Sequence, residues 1–323
     1  QLCYEAGAHR LAAGEAEQAR AQIPADQLIA RSNMEILSGH TYRALGRLQE
    51  ATQAYRAAGE IGGQTGDRYT VLSALTCRAA LHEIQGQLSP TETSCREALA
   101  VSQDRRGRPL PSAAVPLIGL GRLNRERNRL DEAERYLQQA LQLTQQARLG
   151  SIALDAAFAL ALVHMARGDW EQAYSALSQS KQIVQRAQVP LADLKVAAVR
   201  ARLWLAQGNV AAAAGWTADF LATYGEKHAG EPGGWYDVEY GVVVRVWLAQ
   251  EQFADAQALL HKLLLAASET GRLGREIEFL GLLALAQQGS GATEEAAQTL
   301  SRALTLAQPA GYVRVFADEG RPM

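Results

Sequence analysis

Apolar residues recur at spacings of three and four along nearly the whole chain, which is the pattern of helices that bury one face. The run Leu130, Ala133, Leu137, Ala140 and Leu141 is a typical example. Polar residues fill the opposite face, and short turn-forming groups interrupt the pattern at regular intervals. The pattern therefore predicts an all-α protein of helices joined by short turns.

One turn signature recurs between these helices: a Gly or Asn, an apolar residue two places on, and an Ala five places on. Its copies begin at Gly14, Gly46, Asn128, Gly168 and Gly208, with weaker copies at Gly86, Glu251 and Gly291. After a first interval of 32 residues, adjacent copies lie 40 to 43 residues apart. Gly and Asn can adopt the left-handed conformation that ends a helix, and the acidic residues that follow favour the start of the next helix. Each turn is therefore predicted to join two antiparallel helices.

The Ala at the fifth place of the signature is predicted to lie where two helix backbones approach closely, because a larger side chain would separate them. The positions in question are Ala51, Ala133, Ala173, Ala213 and Ala256.

One copy carries a family pattern. The stretch NMEILSGHTYRALGRLQEATQAYRAA, residues 33–58, resembles a tetratricopeptide repeat, with Gly39 and Tyr42 in the first helix and Ala51, Tyr55 and Ala58 in the second. The resemblance implies a right-handed superhelix, a solenoid of about seven to eight antiparallel helix pairs with a concave inner face. The period is longer than the usual one of about 34 residues, which indicates longer helices or longer joints.

Composition and charge limit the partners of the chain. It has 323 residues, 48% of them apolar, and 32 basic against 34 acidic residues give a net charge of -2. No overall field attracts nucleic acid or an anionic membrane, so we expect neither contact. Three cysteines in no metal or redox spacing are expected to be small buried residues and to indicate a reducing, cytoplasmic location. No apolar run approaches the roughly 18 residues that span a bilayer.

Motifs that carry catalysis are missing from the sequence. It contains no phosphate-binding loop, no nucleophile elbow and no pair of zinc-binding histidines on one helix. The stretch GLGRLN from Gly119 imitates a dinucleotide loop but lacks its third Gly, and Gly121 has a packing role instead. We expect no enzyme, no catalytic residue and no metal site.

The inner surface offers a candidate ligand site. In tetratricopeptide units the first helix lines the groove, and one row of its positions lies six residues before each turn residue. In this chain the row is His40, Ala80, Arg122, Leu162, Arg202, Arg245 and Leu285. Arg122, Arg202 and Arg245, with Arg125 one turn away, could bind an anionic group, since guanidinium is a planar fork of donors. Alternatively, these arginines pair with Glu126, Asp155 or Glu239 on a solvated inner surface.

One joint is longer than the others. Residues 224–241, YGEKHAGEPGGWYDVEYG, contain a helix-breaking Pro-Gly-Gly stretch followed by Trp235, Tyr236 and Tyr240. Such an aromatic cluster beside a groove suits stacking on a sugar or another flat ring. It equally suits a hydrophobic plug that seals a long joint between two helix pairs.

The end of the chain carries a second resemblance. The stretch AQPAGYVRVFADEGRPM, residues 307–323, resembles the junction in MalT-like regulators, large ATP-dependent transcription activators of the LuxR class. The matching residues are Gly311, Tyr312, Arg314, Phe316, Asp318, Glu319, Gly320, Pro322 and Met323. The resemblance implies that residues 1–310 form a superhelical sensor domain and that residues 311–323 form a junction leading to a DNA-binding domain. The chain is then expected to be a fragment cut just before that domain.

By this resemblance we expect a ligand-sensing and regulatory or oligomerisation domain with a small-molecule inducer in or near the groove. No cofactor is expected in this chain, because ATP belongs to the family's N-terminal module. The expected partners are the inducer, the other modules of the same regulator and further copies of it. A protein- or peptide-binding scaffold without a small-molecule ligand is the first alternative. A spacer and self-association surface is the second, and groove arginines that are all internally paired would favour it.

Overall fold

The computed structural model describes residues 22–147, 149–187, 192–231, 233–234 and 236–320, together with residues 14, 15, 18 and 20. Over these residues the regular secondary structure is helical, with fifteen α-helices and no strand. Fourteen of the helices form seven sequential pairs. The pairs are α1 (Leu28–Ala44) with α2 (Leu48–Thr65), α3 (Arg68–Ile84) with α4 (Leu88–Val101), α5 (Ala114–Glu126) with α6 (Leu130–Ala147), α7 (Gly150–Arg167) with α8 (Trp170–Ala187), α9 (Ala192–Ala206) with α10 (Val210–Tyr224), α11 (Asp237–Ala249) with α12 (Phe253–Glu269), and α13 (Leu273–Gly289) with α14 (Thr293–Ala307). The short helix α15 (Arg314–Ala317) follows a 3-10 turn at Gln308–Ala310. The predicted all-α repeat architecture is confirmed.

The turn inside each pair has the left-handed residue that the sequence predicts. The seven turn residues within the described ranges are Gly46, Gly86, Asn128, Gly168, Gly208, Glu251 and Gly291, and all of them have φ between 59° and 88°. The backbone then closes the first helix: Arg129 N donates to Asn124 O at 2.7 Å, and Gln252 N donates to Trp247 O at 2.8 Å. The copy that begins at Gly14 falls largely outside the described residues.

Close helix packing explains the small residues of the repeat. The alanines at the fifth place of the signature are all completely buried: Ala51, Ala133, Ala173, Ala213 and Ala256. A Cβ on Gly39 would overlap the ring of Tyr55, and a Cβ on Gly121 would overlap the side chain of Leu137. These contacts confirm the predicted packing positions, including that of Gly121 in the GLGRLN stretch.

The two described cysteines are free thiols inside the repeat. Cys77 is half-buried and Cys95 is buried, and burial raises the pKa of the Cys95 thiol to about 12. Cys95 packs so closely on Gly119 that no Cβ would fit there. Cys3 lies outside the described residues.

One helix departs from the expectation about apolar runs. By length and composition alone, α7 would suffice to cross a membrane, although the sequence was expected to contain no such run. Half of that helix is buried, and it packs between α6 and α8 as part of the repeat. A core helix of a soluble protein meets the same criteria, so this observation is weak evidence for a membrane span.

The stack of pairs curves until distant elements meet. The turn between α3 and α4 reaches the start of α13, where a Cβ on Gly86 would lie 3.0 Å from Leu273 Cβ. The first helix of each pair contributes residues to a shared interior. The curved stack therefore encloses a groove, and this groove contains the candidate site.

Candidate functional site

The groove is lined by the row of first-helix positions that the turn spacing predicts. Ala80, Arg122, Leu162, Arg202, Arg245 and Leu285 line one or both of two cavities, of about 800 and 600 Å³. The remaining member, His40, lies outside both cavities, with its Nδ1 2.9 Å from Tyr55 Oη. The structure thus brings Arg125, Arg202 and Arg245 to one region of the groove.

Residues 311–320, which we call the C-terminal segment, run through the groove between the two cavities. Gly311, with φ of 79°, redirects the chain after the last 3-10 turn. Val313 N donates to Glu126 O at 3.1 Å, and Val315 N donates to Glu126 Oε1 at 2.8 Å. Tyr312 and Val315 line the smaller cavity, Arg314 and Glu319 line the larger one, and Asp318 lines both, so the segment lies between the two cavities.

Asp318 lies at the centre of the arginine cluster. Its carboxylate accepts hydrogen bonds from Arg125 Nη2, from Arg202 Nη2 at 3.2 Å and from Arg314 Nε at 2.8 Å. Burial opposes ionisation of this carboxyl, but the three guanidinium groups outweigh burial and hold its pKa below the usual value. Asp318 is therefore an ionised anchor at neutral pH.

Glu319 binds the next arginine of the row. Arg245 Nε lies 3.0 and 3.1 Å from the two carboxylate oxygens of Glu319, and Arg245 Nη2 donates to Glu278 Oε1 at 3.0 Å. Burial opposes the charge on Arg245, but Glu319 and Glu278 raise its pKa. Burial likewise opposes the charge on Glu278, but Arg275, Arg245 and Arg202 lower its pKa to about 2.

The fourth arginine of the predicted set is held separately. Arg122 Nη2 donates to Glu83 Oε2 at 2.9 Å, and among the described residues Arg122 forms no hydrogen bond or ion pair with the C-terminal segment. The partners that the sequence offered for the arginines need correction. Arg125 Nη1 lies 3.7 Å from Glu126 Oε2. The charge of Asp155 adds to that of Glu83 in raising the pKa of Arg122, but within the described ranges neither Asp155 nor Glu239 forms an ion pair with the four arginines. Their carboxylate partners are chiefly Glu83, Glu278, Asp318 and Glu319.

The aromatic residues of the long joint lie apart from the arginines. Tyr236 and Tyr240 are buried among the rings of Phe220 and Tyr224, and neither tyrosine lines either of the two groove cavities. Tyr240 Oη donates to Gly225 O at 2.7 Å, and burial raises the pKa of this phenol. Of the two interpretations of this joint, this packing matches the hydrophobic plug between two helix pairs. Trp235, the third residue of the predicted aromatic set, lies outside the described residues.

Sequence reasoning missed the carboxylates of the groove. Asp318 and Glu319 were recognised only as part of a junction pattern, and Glu278 was not recognised at all. The available signal was an adjacent acidic pair in a stretch without helical periodicity, following a chain with an arginine row. In the part of the chain that the structure describes, no three His, Cys, Asp or Glu side chains are grouped as metal ligands would be.

Fold and groove together define a helical repeat protein of the tetratricopeptide type. The sequence assigns the chain to one family within this class. Residues 1–323 match the family model of the MalT-like TPR region, and the chain belongs to that family. Comparison with the curated proteins gives no match.

Solved structures with the same fold include a tetratricopeptide repeat protein from Parabacteroides merdae, at 19% identity and a TM-score of 0.54, over 88% of this chain and 94% of that one. A Rap protein in complex with competence and sporulation factor is 14% identical with a TM-score of 0.69, over 91% and 79%. Aspartyl phosphate phosphatase F from Bacillus subtilis is 10% identical with a TM-score of 0.59, over 89% and 74%. At these identities the likeness shows the fold alone.

Proposed function

We propose that this chain is the sensor and regulatory region of a MalT-like transcription activator. In this proposal the groove binds a small-molecule inducer, and binding changes the position of the C-terminal segment. The observation that carries the proposal is the course of that segment through the groove, with Asp318 and Glu319 on the groove arginines.

The coupling has a physical basis in shared contacts. Arg125, Arg202, Arg245 and Asp318 line both cavities, so a ligand in either cavity meets residues that hold the segment. A ligand shifts such an equilibrium only by the difference between its affinities for the docked and released states. By the junction resemblance, the DNA-binding module comes after the segment in the regulator, so release of the segment would reach that module.

The spacer alternative predicts internally paired groove arginines, as found here, and it differs from the sensor proposal in its response to ligands. A rigid spacer that happened to bind a small molecule would be stabilised without any change in the C-terminal segment. A protein-binding scaffold would have to displace the segment with a chain of its own, and no contact in the groove favours that alternative. The deciding experiment therefore measures ligand binding and segment release together.

The experiment screens a metabolite library against the chain by thermal unfolding and follows each hit by hydrogen exchange at residues 313–320. A true inducer at a hundred times its Kd should stabilise the fold by about 2.7 kcal/mol. It should also change the rate of amide hydrogen exchange in the C-terminal segment. Arg245→Gln should weaken that response, whereas Arg96→Gln, on the exposed face of α4, should preserve it. A library without a single stabilising compound, or hits that leave the segment unchanged, would contradict the proposal.

A further inference from the structure

The acidic pair Asp318 and Glu319 occupies the groove arginines in the way that a ligand with two carboxylates would. We infer that Arg125, Arg202 and Arg245 form a receptor site for a dicarboxylate, and that the C-terminal segment is its built-in competitor. The inference rests on the proposed function, because it names the chemical class of ligand that the groove senses.

The C-terminal segment is not one of the helix pairs, and a small number of polar contacts hold it in the groove. Its described backbone bonds to the groove are the two that Val313 and Val315 make with Glu126. Its remaining polar contacts with the groove are made mainly by the carboxylates of Asp318 and Glu319. A competing dicarboxylate therefore has few contacts to replace.

The charges of the groove call for two negative groups. Without the segment, the guanidinium groups of Arg125, Arg202, Arg245 and Arg275 face the carboxylates of Glu126 and Glu278, which leaves a surplus of two positive charges. Among the described residues, the ion-pair partners of Arg202 are Asp318 and Glu319 alone. Buried charge without a partner is strongly unfavourable, and a dianion neutralises the surplus of two. The docked segment brings Arg314 as well as Asp318 and Glu319, so its net charge of -1 offsets that surplus only in part.

Geometry limits the length of the dicarboxylate. Asp318 Oδ2 lies 3.2 Å and Glu319 Oε1 lies 4.0 Å from the same Arg202 Nη2. Two carboxylates so close to one nitrogen match a diacid of about four to six carbons. The larger cavity continues from this point along Leu162, Leu205 and Leu285, which provide an apolar wall for the methylene groups of such a molecule.

The test uses the double variant Asp318→Asn/Glu319→Gln, which keeps the shape of the segment and removes its charges. Glutarate is titrated by calorimetry into this variant and into the unchanged chain, at constant ionic strength set with sodium chloride. The variant should bind glutarate at least about tenfold more tightly, because the competitor no longer reduces the fraction of open sites. Glutaramide, which is neutral, and butyrate, which has one carboxylate, should bind weakly or not at all.

Matched variants locate the effect in the groove. Glu294→Gln/Glu295→Gln removes an adjacent acidic pair on the exposed face of α14 and should leave glutarate affinity unchanged from that of the natural chain. Adding Arg202→Gln to the double variant should abolish the gain in affinity. A peptide with the sequence of residues 313–320 should bind the double variant and compete with glutarate.

The outcomes separate the inference from the function on which it rests. A folded double variant that binds glutarate no better than the natural chain overturns the inference. If the double variant does not fold, glutarate must accelerate hydrogen exchange at Val313 and Val315 of the natural chain while glutaramide does not, and unchanged exchange overturns the inference. If another compound from the metabolite screen releases the segment while glutarate does not bind, the dicarboxylate assignment is wrong and the sensing function stands. If no compound of any class acts, both are wrong.

Discussion

At the residue scale, the groove shows how the number of guanidinium partners decides the charge of a buried carboxyl. Burial raises the pKa of Glu126, with Arg125 only partly offsetting the effect. Burial also opposes the charge on Asp318, yet there Arg125, Arg202 and Arg314 together lower the pKa. The C-terminal segment is thus held by a carboxylate that stays ionised only because the arginines surround it.

This balance predicts how segment docking depends on pH. The pKa of Asp318 is lower in the docked chain than in a free carboxyl, so its contribution is complete above the free value of about 3.9 and is lost as the pH falls through the lower value. The raised pKa of Glu126 acts in the opposite sense, because a falling pH protonates this carboxyl and removes the free-energy cost of its buried charge. We expect the NMR signal of the Val313 amide, which donates to the Glu126 backbone carbonyl, to keep its docked position from pH 7 to about 4.5 and to change below about 3.9. The Val315 amide donates to the Glu126 carboxylate, so its signal should also respond when that carboxylate is protonated at higher pH.

The matched variants for this measurement are Asp318→Asn and Asp219→Asn. Asp318→Asn should release the segment already at pH 7, because removing one partner of a buried pair costs up to about 3–5 kcal/mol. Asp219 is exposed on α10, and its variant should follow the natural chain. Circular dichroism at each pH separates segment release from general unfolding. Docking of Asp318→Asn equal to that of the natural chain would show that the ion pairs do not hold the segment.

Glu251 is a single residue under backbone strain. It has φ of 61°, where an L-residue is disfavoured by about 1–2 kcal/mol, and its side chain is exposed. Glu251→Gly should remove this strain while adding flexibility to the unfolded chain, for a net stabilisation of about 0.5–1 kcal/mol. Urea unfolding measures the change.

Gly208→Ala is the reverse control for the strained turn. Its φ is 77° and an added Cβ would meet nothing within 4 Å, so only the backbone conformation changes. We expect it to destabilise the chain by about 1 kcal/mol. A Glu251→Gly chain that is less stable than the natural one would mean that the Glu side chain contributes more than the strain costs.

The location of the arginine row was predictable at this scale, whereas its partners were not. A fixed offset from each turn residue places Arg122, Arg202 and Arg245 on the inner face, since every pair repeats the same geometry. The carboxylates that meet Arg202 and Arg245 include residues 116 and 74 positions away along the chain. Such contacts depend on how the whole stack curves, and no local pattern encodes that curvature.

At the element scale, each helix pair depends on one close approach that a small residue permits. Ala173 on α8 is completely buried in the largest core cluster, against the side chains of neighbouring helices. Ala173→Leu adds three carbons where no space exists and should destabilise the fold by about 1–3 kcal/mol through overpacking. Thermal unfolding measures the loss. Ala218→Leu makes the same change at an exposed position of α10 and should be nearly neutral, and a neutral Ala173→Leu would contradict the assigned role.

The extent to which the elements were predictable depends on their periodicity. In each of the seven described pairs the two helices meet at the predicted turn, including the weak copies at Gly86 and Glu251, because a left-handed residue between two amphipathic stretches is a local signal. The joint after Tyr224 is different, since its aromatic residues suit an exposed surface and a buried plug equally. Only packing against Phe220 distinguishes these two, and that contact belongs to the assembled fold.

At the scale of the whole molecule, the C-terminal segment connects parts of the curved stack that the repeat itself leaves apart. It bonds to Glu126 at the end of α5 and to Arg245 in α11, and the α3–α4 turn meets α13 nearby. The segment therefore bridges the groove in addition to filling it. Its removal leaves like charges facing one another across the groove, which favours a wider curve.

This bridge predicts a change of overall shape that small-angle X-ray scattering can measure. The double variant Asp318→Asn/Glu319→Gln should have a larger radius of gyration than the natural chain at low ionic strength. The difference should shrink as salt is added, because mobile ions screen the repulsion among Arg125, Arg202 and Arg245. The Glu294→Gln/Glu295→Gln chain has the same net charge and should scatter like the natural protein. An unchanged radius in a variant whose segment is released would show that the contact between Gly86 and Leu273 alone maintains the curvature.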